Sequence, residues 1–263
     1  MNPIPGHSYV AFASLHEKPL TIAGRLSGPA PNGGKAPAVV ILHGSAGPSA
    51  REAGYAAALR EAGFVTLEPD QWAARGLGGG DKGRPKTFTE TLPDVFGARA
   101  FLAVRPEVDA ARIGLLGFSF GGVATMLAAT RAHSSRFAQA GQFAAFMPFY
   151  PACWTYNTLP GQEFSHLVAA PLLLVTGALD EYDDDPHAGE KLASSLSPED
   201  RARVRTHVFA DAHHGFDVPG VDVAVPDPFC HRGQGGHVVM RHNPEATRAA
   251  HRLAVSFFRE TLA

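Results

Sequence analysis

The sequence predicts an α/β fold built on a mostly parallel, doubly wound sheet with helices on both faces. Two observations predict it. Short β-rich apolar runs alternate along the chain with segments of helical period, and strand alternating with helix is the pattern of a sheet wound in both directions. The runs are also continuous in apolar character, as strands covered on both faces are. No internal repeat, low-complexity tract or interdomain linker breaks the pattern. With 263 residues and 45% hydrophobic content the chain can bury a large core, so one domain over 1–263 is expected.

The elements follow in order. Residues 9–14 and 20–26 alternate enough to predict an antiparallel hairpin, and a Pro/Gly/Asn loop over 28–37 ends it. Parallel strands are predicted at "AVVIL" (38–42), "FVTLE" (64–68), "RIGLLG" (112–117), "AAFMPF" (144–149), "LLLVT" (172–176) and "VRTHVF" (204–209). Helical spacing of apolar residues predicts helices over 50–63, 92–105, 121–132, 187–196 and 243–262. The last opens on Asn243 and Pro244, a capping residue followed by proline in the first turn. Two long connections, 69–88 and 210–242, exceed the usual loop length and are expected to be functional or mobile. The first contains "GLGGGDKG", but these glycines sit well past the strand and Pro85 and Lys86 follow, so a surface loop explains them better than a phosphate cradle.

The formal net charge of −2, with no basic stripe, gives no electrostatic reason to expect nucleic acid or an anionic membrane. The first twenty residues carry no apolar run of signal-peptide or membrane-span length, so a cytoplasmic chain is expected. Two cysteines, Cys153 and Cys230, make no disulfide framework and no metal spacing, and reduced thiols are expected. His231, His237 and His242 match no standard metal pattern. Neither metal nor cofactor is expected, and the expected partner is a small molecule, with the chain a monomer or homodimer.

The chemistry centres on "GLLGFSFGG". Ser119 falls on the turn between a predicted strand and a predicted helix, as in a G-x-S-x-G elbow. Gly117 and Gly121 give clearance where side chains would meet the neighbouring strand and helix. A serine hydroxyl needs a base, and the base an acid partner that fixes its tautomer. In this topology the order is Ser, then Asp or Glu, then His, each at a strand end. "TGALDEYDDD" supplies Asp180, nearest its strand, while the run 183–185 is expected to cap and solvate the next helix. "ADAHHGF" supplies His213 and His214; neighbours on an extended loop point oppositely, and His214, before the small Gly215, is the choice. "HGSAG" after the first parallel strand supplies an oxyanion turn, with the Ser45 and Phe120 N–H groups as donors. Trp72, Tyr150 and Trp154 are candidate substrate contacts, although aromatics at strand ends are more often core. Arg75 either binds a substrate carboxylate or pairs with Asp70 to hold its loop.

Together "HGSAG", "EPDQWAARG", "RIGLLGFSFGG", "FYPAC", "GALDEYDDDP", "AHHGF" and "HRLAVSFFRETL" resemble the dienelactone hydrolase family of α/β-hydrolases over most of the chain. The resemblance implies the α/β-hydrolase fold and a triad of Ser119, Asp180 and His214. It also marks departures. The family's name-giving enzymes carry a cysteine nucleophile, a glutamate after the first strand and arginines for a substrate carboxylate. Here those positions hold Ser119, Gly44 and, after "HHGF", Val218, with Arg75 alone matching one of the arginines. A serine hydrolase of small carboxylic esters or lactones is therefore expected. Dienelactone hydrolysis proper and a non-catalytic, small-molecule-binding version of the fold are the alternatives.

Overall fold

The computed structural model describes residues 6–29, 34–80 and 82–262. Residues 30–33 of the expected loop after the hairpin, and the first five residues of the N-terminal segment, lie outside them. Eight strands form one sheet: β1 (His7–Ala13), β2 (Thr21–Ser27), β3 (Ala36–Leu42), β4 (Val65–Asp70), β5 (Val108–Phe118), β6 (Ala145–Phe149), β7 (Leu172–Gly177) and β8 (Val204–Phe209). Their order is β1-β2-β4-β3-β5-β6-β7-β8. The first two pairings, β1 with β2 and β2 with β4, are antiparallel, and the remaining five are parallel. The predicted hairpin and all six predicted parallel strands are present.

The alternation of side chains along β3 shows why its sequence is apolar throughout. Ala38, Val40 and Leu42 enter one core while Val39 and Ile41 enter the other, since successive side chains of a strand point to opposite faces. Helices α1 (Ala50–Glu61) and α5 (Pro244–Thr261) cover the second core through Tyr55, Leu59, Phe257 and Phe258. Helices α2 (Leu92–Ala103), α3 (Phe120–Ala128) and α4 (Ala188–Ser195) cover the first through Val95, Phe96, Val123 and Leu192. Caps fix where the helices begin. Ser49 and Glu52 form a capping box on α1, and the Asn243 side chain accepts from the Glu245 and Ala246 N–H groups ahead of α5.

The connection 210–242 differs from the sequence expectation. It carries its own antiparallel pair, β9 (Asp222–Pro226) and β10 (His237–Arg241). Five-residue strands separated by "DPFCHRGQGG" give too short a period-2 signal to stand out in the sequence. The hairpin is held to the 178–187 segment: His231 N–H donates to the Glu181 carbonyl at 2.7 Å, Arg232 N–H to the Tyr182 carbonyl at 3.0 Å, and Val239 N–H to the Glu181 carboxylate at 2.5 Å.

Candidate active site

The elbow is built by backbone strain and close approach. Ser119 has φ 50° and ψ −112°, outside the regions an L-residue ordinarily adopts. Its N–H donates to the Phe149 carbonyl at 3.0 Å and its carbonyl accepts from Val123 N–H at 2.8 Å, which tie the turn to β6 and α3. A Cβ on Gly121 would sit 2.6 Å from the His43 carbonyl oxygen, and one on Gly122 2.6 Å from that of Phe149. Gly121→Ala is therefore expected to cost roughly 1–3 kcal/mol through overpacking against backbone, measured as a lowered Tm relative to an exposed control such as Gly78→Ala, whose Cβ would meet nothing within 4 Å.

Three sequence-selected side chains meet at this turn. His214 Nε2 lies 2.9 Å from Ser119 Oγ, and His214 Nδ1 lies 2.8 Å from Asp180 Oδ2. A carboxylate only accepts, so Nδ1 carries the proton and Nε2 is the acceptor for the serine hydroxyl. The other Asp180 oxygen accepts from Tyr182 N–H at 2.9 Å, which fixes the carboxylate plane. The His214 and Asp180 side chains are 5% and 4% exposed, so the pair is shielded from water. The imidazole sits between the Tyr182 ring, 4.3 Å away between centroids, and the Tyr150 ring at 4.7 Å. An imidazole so held can take the hydroxyl proton as Ser119 attacks an electrophile and return it to a leaving group.

The turn after β3 adjoins the elbow. A Cβ on Gly44 would lie 3.5 Å from Ser119 Cβ. Among the described residues neither Ser45 N–H nor Phe120 N–H meets an acceptor, which leaves both available to an oxyanion. His43 braces this turn. Its Nε2 accepts from Gln71 N–H at 3.1 Å, so its Nδ1 donates to the Gly44 carbonyl at 2.8 Å. Burial pushes the His43 pKa below its ordinary value, keeping the neutral ring that this one-donor, one-acceptor role needs.

The candidate substrate contacts divide. Tyr150 borders the space beside Ser119. Trp72 does not: it is 2% exposed, donates from Nε1 to the Ser45 carbonyl at 3.0 Å and packs edge-on to Phe120, so it supports the turn. Arg75 also lies elsewhere. It is 2.8 Å from Asp94, while Asp70 instead accepts from Trp72 and Ala73 N–H. The Asp70 option for Arg75 is thus corrected: its α2 partner Asp94 is buried, and burial of that carboxylate favours the nearest guanidinium. Trp154 is corrected as well, since it borders a separate cavity with Asp183, Lys191 and Arg232.

The aspartate run also departs from expectation. Asp185 accepts from His187 N–H as a capping residue does, but Asp183 is buried, its two oxygens accepting from Cys153 and Trp154 N–H at 3.0 and 2.7 Å. Burial, with Asp180 nearby, lifts the Asp183 pKa from 3.8 to about 7. A raised carboxyl pKa means that the folded state holds the proton more tightly than the unfolded chain. Its stabilising contribution is present in full below pH 3.8 and lost as pH rises through about 7. Asp183→Asn is expected to flatten that part of the profile, read from urea midpoints between pH 5 and 8.

Sequence reasoning missed two polar groups at the site. Behind it, Arg51 donates from Nη1 to the Tyr150 hydroxyl at 3.1 Å and pairs with Glu52 at 2.5 Å, while the Tyr150 and Tyr55 hydroxyls donate to Asp217 at 2.5 and 2.7 Å. Burial opposes the Arg51 cation, yet Tyr150, Glu52 and Asp217 outweigh it and raise its pKa. In front, Arg84 donates to Ser45 Oγ at 2.8 Å and to Asp227 at 3.3 Å, linking the two long connections across the mouth of the site. Capping explains Glu52 locally, but the other partners are brought together only by the fold.

Among the described residues no group of three or more His, Cys, Asp or Glu is placed to hold a metal ion, and no helix is long and apolar enough to cross a membrane. The comparisons agree on the architecture. The structure matches Thermogutta terrifontis esterase 2, solved phosphoramylated by tabun, with a TM-score of 0.68 at 16% identity, covering 98% of this chain and 96% of that one. It matches a dienelactone hydrolase-like promiscuous phosphotriesterase from metagenomic libraries with a TM-score of 0.67 at 16% identity, covering 98% and 100%. Est1E from Butyrivibrio proteoclasticus matches with a TM-score of 0.62 at 15% identity, covering 96% and 99%. No curated protein sequence matches the chain. The α/β-hydrolase architecture thus meets a sequence match of residues 22–262 to the dienelactone hydrolase family model, and the chain belongs to the dienelactone hydrolase family.

Proposed function

We propose that the protein is a serine hydrolase that cleaves small carboxylic esters or lactones through an acyl-enzyme on Ser119. The observation that carries this reading is the continuous chain from Ser119 Oγ to His214 Nε2 and from His214 Nδ1 to Asp180, at 2.9 and 2.8 Å. Ser119 Oγ attacks the ester carbonyl as its proton passes to His214 Nε2. The carbonyl oxygen becomes an oxyanion, held by the Ser45 and Phe120 N–H groups. Collapse breaks the bond to the alkoxy oxygen, which leaves with the proton from His214. A water then gives its proton to His214 and attacks the acyl carbon, and the returning proton frees Ser119 with release of the acid. Asp180 holds the required tautomer and offsets the imidazolium charge at each stage. The serine suits this scheme, since a hydroxyl, unlike a stored thiolate, needs only a permanent base beside it.

The esterases among the structural neighbours support this reading, and the engagement of Arg75 with Asp94 weighs against a carboxylate-bearing dienelactone as substrate. Mass spectrometry after treatment with a neutral fluorophosphonate tests it. One adduct on Ser119, absent from His214→Ala within the same reaction time, is expected; no adduct on Ser119 would overturn the reading.

A further inference from the structure

Two cavities meet at Ser119, and they are unequal. The smaller, about 30 Å³, is walled by Phe88, Phe120, Val123, Pro151 and Phe229. The larger, about 460 Å³, is walled by Val218, Val221, Val225, Pro226 and Met240, from the connection that carries β9 and β10. A cavity of roughly 150 Å³ accommodates benzene. The larger one therefore takes a chain or ring system well beyond that size, and the smaller leaves room only for a short substituent. Ser45, Arg84, Ser119, Tyr182 and His214 border both, so the two spaces flank a single reacting position.

The charged side chains on the walls of these two spaces are paired within the protein. Among the described residues the charged or ionisable groups on their walls are Arg51, Arg84, Asp227, His214 and the Tyr hydroxyls. Arg51 is paired with Glu52, Arg84 with Asp227 and His214 with Asp180. Asp227 is 7% exposed and also accepts from Phe229 N–H at 2.8 Å, so it is fixed where it meets the guanidinium. A substrate carboxylate entering here would find no surplus cation, and an unpaired charge is costly to desolvate.

We propose that the substrate is an uncharged ester with one substituent no larger than a methyl or ethyl group and one bulky apolar substituent, and that Asp227 sets the preference for a neutral ester by neutralising Arg84. The proposal rests on the hydrolase reading above and goes beyond it in naming the substrate class. It sets this chain apart from the carboxylate-bearing substrates expected of the family's name-giving enzymes.

Two comparisons of kcat/KM by pH-stat titration test it. Dimethyl adipate against monomethyl adipate isolates the charge, and the neutral diester is expected to be favoured at least about tenfold. Hexyl acetate and methyl heptanoate against hexyl heptanoate isolate the shape. The ester bulky on both sides is expected to fall about tenfold below the better of the other two. Asp227→Asn keeps an acceptor for Phe229 N–H and unpairs Arg84, so the monomethyl-to-dimethyl ratio is expected to rise about tenfold. Arg84→Gln is expected to move that ratio the other way, and it stands in if the first variant does not fold. A wild-type preference for the carboxylate, a ratio unmoved by either variant, or equal rates on all three esters in the size series would overturn the proposal. Phosphonylation of Ser119 separates the two readings. With the adduct formed and the carboxylate ester preferred, only the substrate proposal fails; with no adduct, both fail.

Discussion

Ser119→Ala is expected to lower kcat on a short-chain ester by a factor on the order of 10⁶, and His214→Ala by a similar factor. The reason is geometric. His214 Nε2 lies 2.9 Å from Ser119 Oγ, and in the proposed mechanism the hydroxyl proton passes to it as the new bond forms. Removing either atom leaves only binding and the backbone donors of Ser45 and Phe120 to act on a bound ester. The two side chains work as one unit, so the double variant is expected to be no slower than either single one. The alanine at 119 leaves in place the Ser119 backbone bonds to Phe149 and Val123, and Tm should move little. Stopped assays on protein pretreated with the wild-type inhibitor exclude contaminating esterase. Activity of Ser119→Ala within tenfold of wild type would sink the nucleophile assignment.

Much of this site was legible in the sequence because its parts are local. Gly117, Ser119 and Gly121 sit on one strand-to-helix turn, and chain order placed Asp180 and His214 at the ends of the following strands. The opposite directions of adjacent loop side chains left only one of His213 and His214 for the site, and the choice of His214 rested on the small Gly215 after it; His214 is the one 2.8 Å from Asp180. Arg75 was misjudged because its partner lies on another element: Asp94 on α2 is near it in space and 19 residues away in sequence. Arg84 was overlooked for a similar reason. Its role depends on Asp227, 143 residues away, in a connection whose short strands give little periodic signal. Asp183 shows the same limit. A run of aspartates reads as a solvated cap until the fold buries one of them against the Cys153 and Trp154 N–H groups.

Asp180→Asn is expected to reduce kcat by roughly 10⁴ while leaving the fold intact. Asparagine is nearly isosteric with aspartate, so the contact with Tyr182 N–H can persist through the amide oxygen. If the amide NH₂ then faces His214 Nδ1, that nitrogen must accept, and the ring proton moves to Nε2. The serine hydroxyl then meets a donor where it needs an acceptor. The charge that offsets the imidazolium is lost in the same step. Asp183 does not replace it, because both of its oxygens are committed to Cys153 and Trp154 N–H. Measuring kcat against pH for both proteins, with Tm as a control for folding, checks the expectation. Loss of less than tenfold at every pH, with Tm unchanged, would remove the orienting role from Asp180 and leave His214 positioned by the Tyr150 and Tyr182 rings alone.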